Sequence, residues 1–267
     1  MSDTNPVIAA LTADGAAFDA LVADLPEAAW ATPTPAPGWT IAHQVAHLAA
    51  TFRLAGLAAA DPAGFGKLAS TLSPDFDANV VGAMAPFLAL PPAQLLGAFR
   101  AERDRSIEAL AAVPGDQVVP WLVRPLPPAV LACAGMMELF GHGQDIADAL
   151  GVRRVWTDRL QFLVGFSVRV WDFGYLAREL PVPETEFRFE ITGPSGAVWT
   201  FGPEDSVNRV TGSAEDFLLL TTRRRHHLDL DVTATGPDAE PWLVLAQCYR
   251  GPAGDGRRPG QFESKAA

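Results

Sequence analysis

The spacing of apolar residues changes character near residue 180 of this chain, and that change constrains the fold more than any other feature. Up to about residue 180, apolar side chains recur every three or four positions, as on a helix with one buried face. From about residue 186 segments appear in which they alternate one in two, as on strands covered on one side. The order predicts an α+β chain: a four-helix bundle over residues 1–155, followed by a smaller α+β C-terminal domain over 156–267.

The first helix is expected over 4–25, with Thr4 or Asn5 as cap, Pro6 in the first turn, and Ile8, Leu11, Phe18, Leu21 and Leu25 as its stripe. Pro26 ends it. ATPTPAPGW (31–39), with alternating prolines, must be extended, and it delivers Trp39 and the N-cap Thr40 to a second helix running to about Ala60. Residues 61–90 are a long connection with a short helix near 77–88. A third helix spans Pro92 to Val113, with the charges between Arg100 and Glu108 as its solvated side. The proline-broken PWLVRPLPPAV leads into a fourth helix over 128–150, closed by Gly151 at C′.

In the second half, 157–180 reads as one amphipathic linking helix ended by Pro181 and Pro183. Strands are expected over 186–192, 197–202 and 227–235, the first two joined by a hairpin at GPSG. Helices are expected over 212–224, with Ser213 as cap, and over 239–251, before a flexible tail from about 251.

Composition narrows the function. A net charge of −11 works against a nucleic-acid partner, because phosphate binding needs a basic surface. Cys133 and Cys248 are too few for a disulfide framework and read as small buried apolar residues, which points to a reducing, cytoplasmic setting. The N-terminus lacks a basic n-region followed by an apolar run, and no stretch reaches the ~18 apolar residues of a membrane span. Neither a membrane nor a nucleic acid is expected as partner, and the chain is read as a monomer or homodimer.

Two stretches carry chemistry. GWTIAHQVAHL holds His43 and His47, and MMELFGHGQDIADALG holds Glu138 and His142. Each pair is spaced i, i+4, so on a helix both side chains share a face, and two such helices packed together can close a metal site. Imidazole and carboxylate suit zinc, with nickel, manganese, cobalt and ferrous iron also open. His43 lies near the positive end of its helix dipole, which favours a neutral ring. In the second half Arg223, Arg224, Arg225 and Arg250, with Arg257 and Arg258, form a basic concentration able to clamp a carboxylate; for any one of them a solvated rim is the plainer reading.

The PGWT…AHL opening of the second helix, with E-x-x-x-H-x-x-D on the fourth, resembles the DinB-like superfamily, and within it the mycothiol-dependent maleylpyruvate isomerase type of N-terminal domain, over about 5–155. The resemblance implies a divalent metal, usually zinc, at one end of the bundle, held by His47, Glu138 and His142. It gives His43 no ligand role, leaving a first-turn histidine satisfied by backbone or water, or a catalytic proton carrier. Asp145 matches the family's aspartate and supports the site, and Gln144 is expected to point towards it. GSA-x-D-F, R-R and W-L-x-x-A-Q-x-x-x-G-P-x-G resemble the C-terminal domain of an actinobacterial branch, a piece also linked to tRNA wyosine-base formation. That resemblance implies an arginine reaching the active site: Arg223 and Arg224 are the catalytic candidates, Arg225 and Arg250 the cofactor-binding ones. The richness in Ala, Gly, Pro and Arg is compatible with a GC-rich actinobacterial source.

The function implied is a metal-dependent S-transferase or isomerase that uses a low-molecular-weight, mycothiol-like thiol on an electrophilic small molecule, in natural-product or aromatic metabolism. No protein cysteine is required. The alternatives are a noncatalytic metal- or ligand-binding protein and a metal-dependent hydrolase on the same scaffold.

Overall fold

The structure, a computed structural model, describes residues 6–122 and 124–262. Two compact units are present, Met1–Arg154 and Val155–Ala267.

The first unit is helical. Its frame is a ring of four helices, α1 (Pro6–Val22), α2 (Ile41–Ala60), α5 (Pro92–Ala112) and α6 (Pro128–Leu150), in which α1 packs on α6, α6 on α2, α2 on α5, and α5 back on α1. Their stripes meet in a core that holds Leu11, Phe18, Leu48, Phe99, Met136 and Leu139. Phe18 and Phe52 both pack against the Phe99 ring, at 5.1 and 6.2 Å between centroids. The long connection from α2 to α5 carries two helices, α3 (Pro62–Ala69) and α4 (Phe76–Leu88). The second was expected; α3 was not, because Pro62 and two glycines read as loop. Asp61 caps it by accepting from the Gly64 N–H at 2.9 Å, and Pro62 fits the first turn, where no N–H is needed. Helix α1 ends three residues earlier than expected, and its proposed caps Thr4 and Asn5 lie outside the described residues. At the far end of α6, Gly151 has φ 65, the left-handed C′ conformation that terminates the helix.

The second unit is a four-stranded sheet with helices on one face. The strands β1 (Arg188–Thr192), β2 (Val198–Phe201), β3 (Arg209–Ser213) and β4 (Val232–Thr235) lie in the order β2-β1-β3-β4, with β1 and β3 parallel and the outer pairs antiparallel. Phe189, Ile191, Val210 and Val232 point from the sheet into a core with Phe217 and Trp242. Five corrections to the expected elements arise here. The helix expected over 157–180 is two, α7 (Leu160–Arg169) and α8 (Phe173–Leu176), because the chain leaves helical geometry at Val170 and turns so that Gly174 can meet the end of another helix. A Cβ on Gly174 would lie 2.0 Å from the Leu245 carbonyl oxygen. Strand β3 was missed, since Gly212 and Ser213 had been assigned to a helix start; the helix α9 (Ala214–Thr221) begins two residues later than expected, with Ser213 accepting from the Asp216 N–H at 3.0 Å. That helix also stops short of 224, at a turn where Arg223 adopts φ 58. The strand expected over 227–235 opens instead as a short 3-10 turn, His227–Asp229, and pairs only from Val232. The last helix, α10 (Ala239–Leu245), stops where Ala246 becomes extended, so that the Cys248 N–H can reach the Thr221 carbonyl at 2.9 Å.

Residues 251–262 form no helix or strand but are attached to the unit. The Gly260 N–H donates to the Asp229 carboxylate at 2.9 Å, and the Arg225 guanidinium covers the Phe262 ring at 3.8 Å. Among the described residues no single helix is long and apolar enough to cross a membrane.

Candidate metal centre

The site is built where the start of α2 passes the middle of α6. Pro33 and Thr40 form an isolated antiparallel bridge, and the Thr34 N–H donates to the Trp39 carbonyl at 2.8 Å, so the proline-rich lead-in is a closed loop that fixes where α2 starts. Thr40 is the N-cap, as expected, and His43 is its partner. The Thr40 N–H donates to His43 Nδ1 at 3.3 Å, and the Thr40 hydroxyl lies 2.9 Å from the same nitrogen. This is a capping box with histidine in the place of the usual glutamate. His43 stands outside the group of converging donors, and its Nδ1 is engaged by the helix start.

One turn on, His47 faces α6. His47 Nε2 lies 3.3 Å from Glu138 Oε2, and His142 Nε2 lies 3.2 Å from the same oxygen. The ligand atoms of His47, Glu138 and His142 all fall within 4.8 Å of one another, and among the described residues this is the only such group of His, Cys, Asp and Glu. The three side chains are 18, 21 and 13 % exposed, so the cluster is shielded but not sealed from solvent. Burial pushes the Glu138 carboxyl up, but hydrogen bonds to His142 and His47 and the electrostatic pull of the two neighbouring rings outweigh it, holding the group below the usual carboxylate range. Two imidazole nitrogens and a carboxylate oxygen at this spacing match a three-ligand divalent metal site with open positions.

Three neighbours complete the site, none of them given a role there from sequence. Trp39 stacks on the His142 ring at 5.8 Å and 16°, and lies 5.3 Å from His47. The fully buried Gln44 bonds to His142 Nδ1 at 2.5 Å through Oε1 and donates from Nε2 to Thr34 Oγ1 at 2.8 Å. Thr51 Oγ1 is 3.4 Å from His47 Nε2. The signal for Gln44 was its place in the helical turn before His47; its partner comes from 98 residues away and leaves no trace in the local pattern. Gln144, expected to point towards the site, instead donates to Asp148 on its own helix at 2.8 Å. Asp145 is fully buried on α6, three residues beyond His142.

The four arginines singled out from sequence sit in the second unit. Arg223 donates to the Gly254 carbonyl at 3.4 Å, Arg224 to that of Thr222 at 2.6 Å, and Arg225 to that of Arg224 at 2.7 Å, while Arg250 is exposed. Arg223 and Arg225 line one cavity of about 100 Å³ with His226, His227 and Arg257; Arg224 and Arg250 are outside its lining.

Comparison with known proteins gives these features a context. The sequence pattern of the family described as mycothiol maleylpyruvate isomerase N-terminal domain matches residues 11–147, and a second pattern, described as wyosine base formation, matches 183–235. An uncharacterised protein of Mycobacterium tuberculosis, in the H37Rv and CDC 1551 strains alike, is 46% identical over 257 residues, covering 96% of this chain and all of the relative. Among solved structures, the mycothiol-dependent maleylpyruvate isomerase resembles the chain with a TM-score of 0.59 at 15% identity, over 90% of this chain and 97% of the other. A histidine-to-alanine variant of that enzyme gives 0.60 at 14% identity, with the same coverage. The fold is thus shared with that enzyme, and the matched pattern, which spans both α2 and the part of α6 that carries Glu138 and His142, shows that the chain belongs to the mycothiol maleylpyruvate isomerase N-terminal domain family.

Proposed function

We propose that the protein is a metal-dependent enzyme of the thiol-transferase or isomerase kind, which presents a low-molecular-weight thiol of the mycothiol type to an electrophilic small molecule. The observation that carries this is the convergence of His47, Glu138 and His142 within 4.8 Å on two facing helices. The residues fit a divalent metal: two imidazoles and one carboxylate neutralise half of its charge and leave positions open to an anion. Such an ion, zinc being one that the donors suit, would supply Lewis acidity that lowers the pKa of a thiol and favours its nucleophilic thiolate form.

The chain's own residues do the rest. Glu138 bridges the two histidines and, held ionised, aims both ring nitrogens at one point. Trp39 walls one side of the cluster and keeps water from the His142 ring. Thr51 offers a hydroxyl beside His47, in reach of a group bound at an open position. Neither protein cysteine is placed to be the nucleophile: both are buried, neither joins the donor group, and burial pushes the Cys133 thiol up to about 11. The thiol therefore comes from outside the chain. The relatives' names supply its class, and the electrophile is either a cis double bond conjugated to a carbonyl, isomerised by reversible thiol addition, or a carbon that keeps the sulfur.

Mycothiol titrated into the cobalt-loaded protein tests this. A thiolate-to-cobalt absorption band that saturates near one thiol per chain, and is lost in Glu138→Ala, is the expected result. No band in a fully loaded protein would remove thiol activation from the account.

A further inference from the structure

We infer that Gln44 is a positioning residue that decides which nitrogen of His142 faces the donor cluster, and that its own orientation is dictated by the backbone carbonyl of Trp39. The inference rests on the reading of His47, Glu138 and His142 as metal ligands, and it follows from donor and acceptor roles alone.

A carbonyl oxygen only accepts. The Thr34 hydroxyl, 2.9 Å from the Trp39 carbonyl, must therefore donate its single proton there. The Thr34 N–H donates to the same oxygen at 2.8 Å, so both lone pairs of that carbonyl are used and the hydroxyl is held in place. With its proton committed, Thr34 Oγ1 can only accept from Gln44, 2.8 Å away, and this turns the Gln44 amide nitrogen towards Thr34. The amide oxygen then faces His142 Nδ1 at 2.5 Å. An amide oxygen cannot donate, so the proton of this bond sits on Nδ1. His142 thus keeps Nδ1 for Gln44 and turns Nε2 to Glu138 Oε2, 3.2 Å away, as the nitrogen available to a metal.

The reverse arrangement fails at once. Turning the amide over would set its oxygen against the Thr34 oxygen, whose proton is already given to Trp39, inside a site where Gln44 is fully buried and no solvent can compensate. The relay Trp39 carbonyl, Thr34 hydroxyl, Gln44 amide, His142 ring thus has one consistent polarity. Its output is His142 Nε2 turned to the carboxylate oxygen, a contact made favourable by a proton on Nε2 in the metal-free protein or by a metal ion held between the two. The same loop presents the Trp39 ring that stacks on His142, so one segment fixes both the plane of the ring and its tautomer.

Two measurements on the full chain test the relay. The first is zinc affinity, read by competition with a chromophoric chelator. Gln44→Leu, which fills the space but has no acceptor, is expected to bind zinc about 10–100-fold more weakly. Gln44→Glu, which keeps an acceptor for Nδ1 but sets its other oxygen against Thr34 Oγ1, should recover only part of that loss. Thr34→Val, which leaves Gln44 in place and removes only the step upstream, should weaken binding by a smaller factor. The second is nitrogen-15 NMR of histidine-labelled protein, which should show a slowly exchanging proton on His142 Nδ1 in wild type, absent in Gln44→Leu. If Gln44→Leu does not fold, Thr34→Val and the wild-type spectrum decide. Unchanged zinc affinity in both Gln44→Leu and Thr34→Val, or a His142 that keeps no proton on Nδ1, overturns the relay. Wild-type protein that takes up no zinc yet shows the protected Nδ1 proton would overturn the metal reading and leave the relay standing.

Discussion

His47 and Glu138, 91 residues apart in sequence, meet with Nε2 and Oε2 3.3 Å apart at the crossing of α2 and α6. The contact joins the two halves of the bundle through one carboxylate that also takes in His142, and its charge state sets how the site behaves with pH.

In the folded protein the Glu138 carboxyl is held below its ordinary value near 4.5. A carboxyl depressed by folding stabilises the fold above its unfolded value, and that stabilisation is lost as pH falls below it. The melting temperature of metal-free wild type should therefore exceed that of Glu138→Gln near neutral pH, and the gap should close on acidification through the range below about 4.5. A gap that widens on acidification would contradict the sign.

Trp39 stacks on His142, so filling the site should change the surroundings of one indole among the seven in the chain. Zinc added to metal-free wild type is expected to alter tryptophan emission, and Trp39→Phe to abolish most of that change while still binding zinc. A full response in Trp39→Phe would place the reporter elsewhere.

Cys133 is buried and its thiol is pushed up to about 11. At pH 8 the native protein should react with iodoacetamide at Cys133 far more slowly than the unfolded chain does, since only the thiolate attacks. Thiol-dependent activity should survive Cys133→Ala. Fast native labelling would put a protein thiol back into the mechanism.

Gly174 is a test of packing in the second unit. With the Leu245 carbonyl 2.0 Å from where a Cβ would stand, Gly174→Ala must push the start of α8 away from the end of α10. It also disturbs Arg178, which donates to the Gly174 and Leu245 carbonyls at 2.7 and 3.2 Å. A loss of about 1–3 kcal/mol is expected in denaturant unfolding. Wild-type stability in this variant would show that the approach is not required.

What the sequence revealed and what it hid divide along the range of the interactions. The i, i+4 spacing of Glu138 and His142, the Thr40 and Ser213 caps and the Gly151 stop are local signals, and each is present in the structure at the residue named. His43 was kept as a catalytic candidate, whereas its ring is the capping partner of Thr40; the sequence showed its position in the first turn but not that a histidine would replace the usual glutamate. Strand β3 stayed hidden because its place is set by a parallel pairing with β1, some twenty residues earlier, while its own RVTGS has few strand-forming residues. The 157–180 stripe was continuous in period, yet the helix breaks at Val170 to satisfy contacts with α10 that no window of sequence contains. Gln44 was invisible for the same reason: a buried amide announces nothing until its partners, Thr34 and His142, are brought to it.

The most direct test of the account is the metal content of the purified full-length protein by elemental mass spectrometry, with His47→Ala and Glu138→Ala prepared alongside. The account predicts about one divalent metal per chain in wild type, with each variant folded and carrying little or none. A folded wild-type protein that holds no metal under metal-replete conditions, or variants that keep theirs, would contradict it.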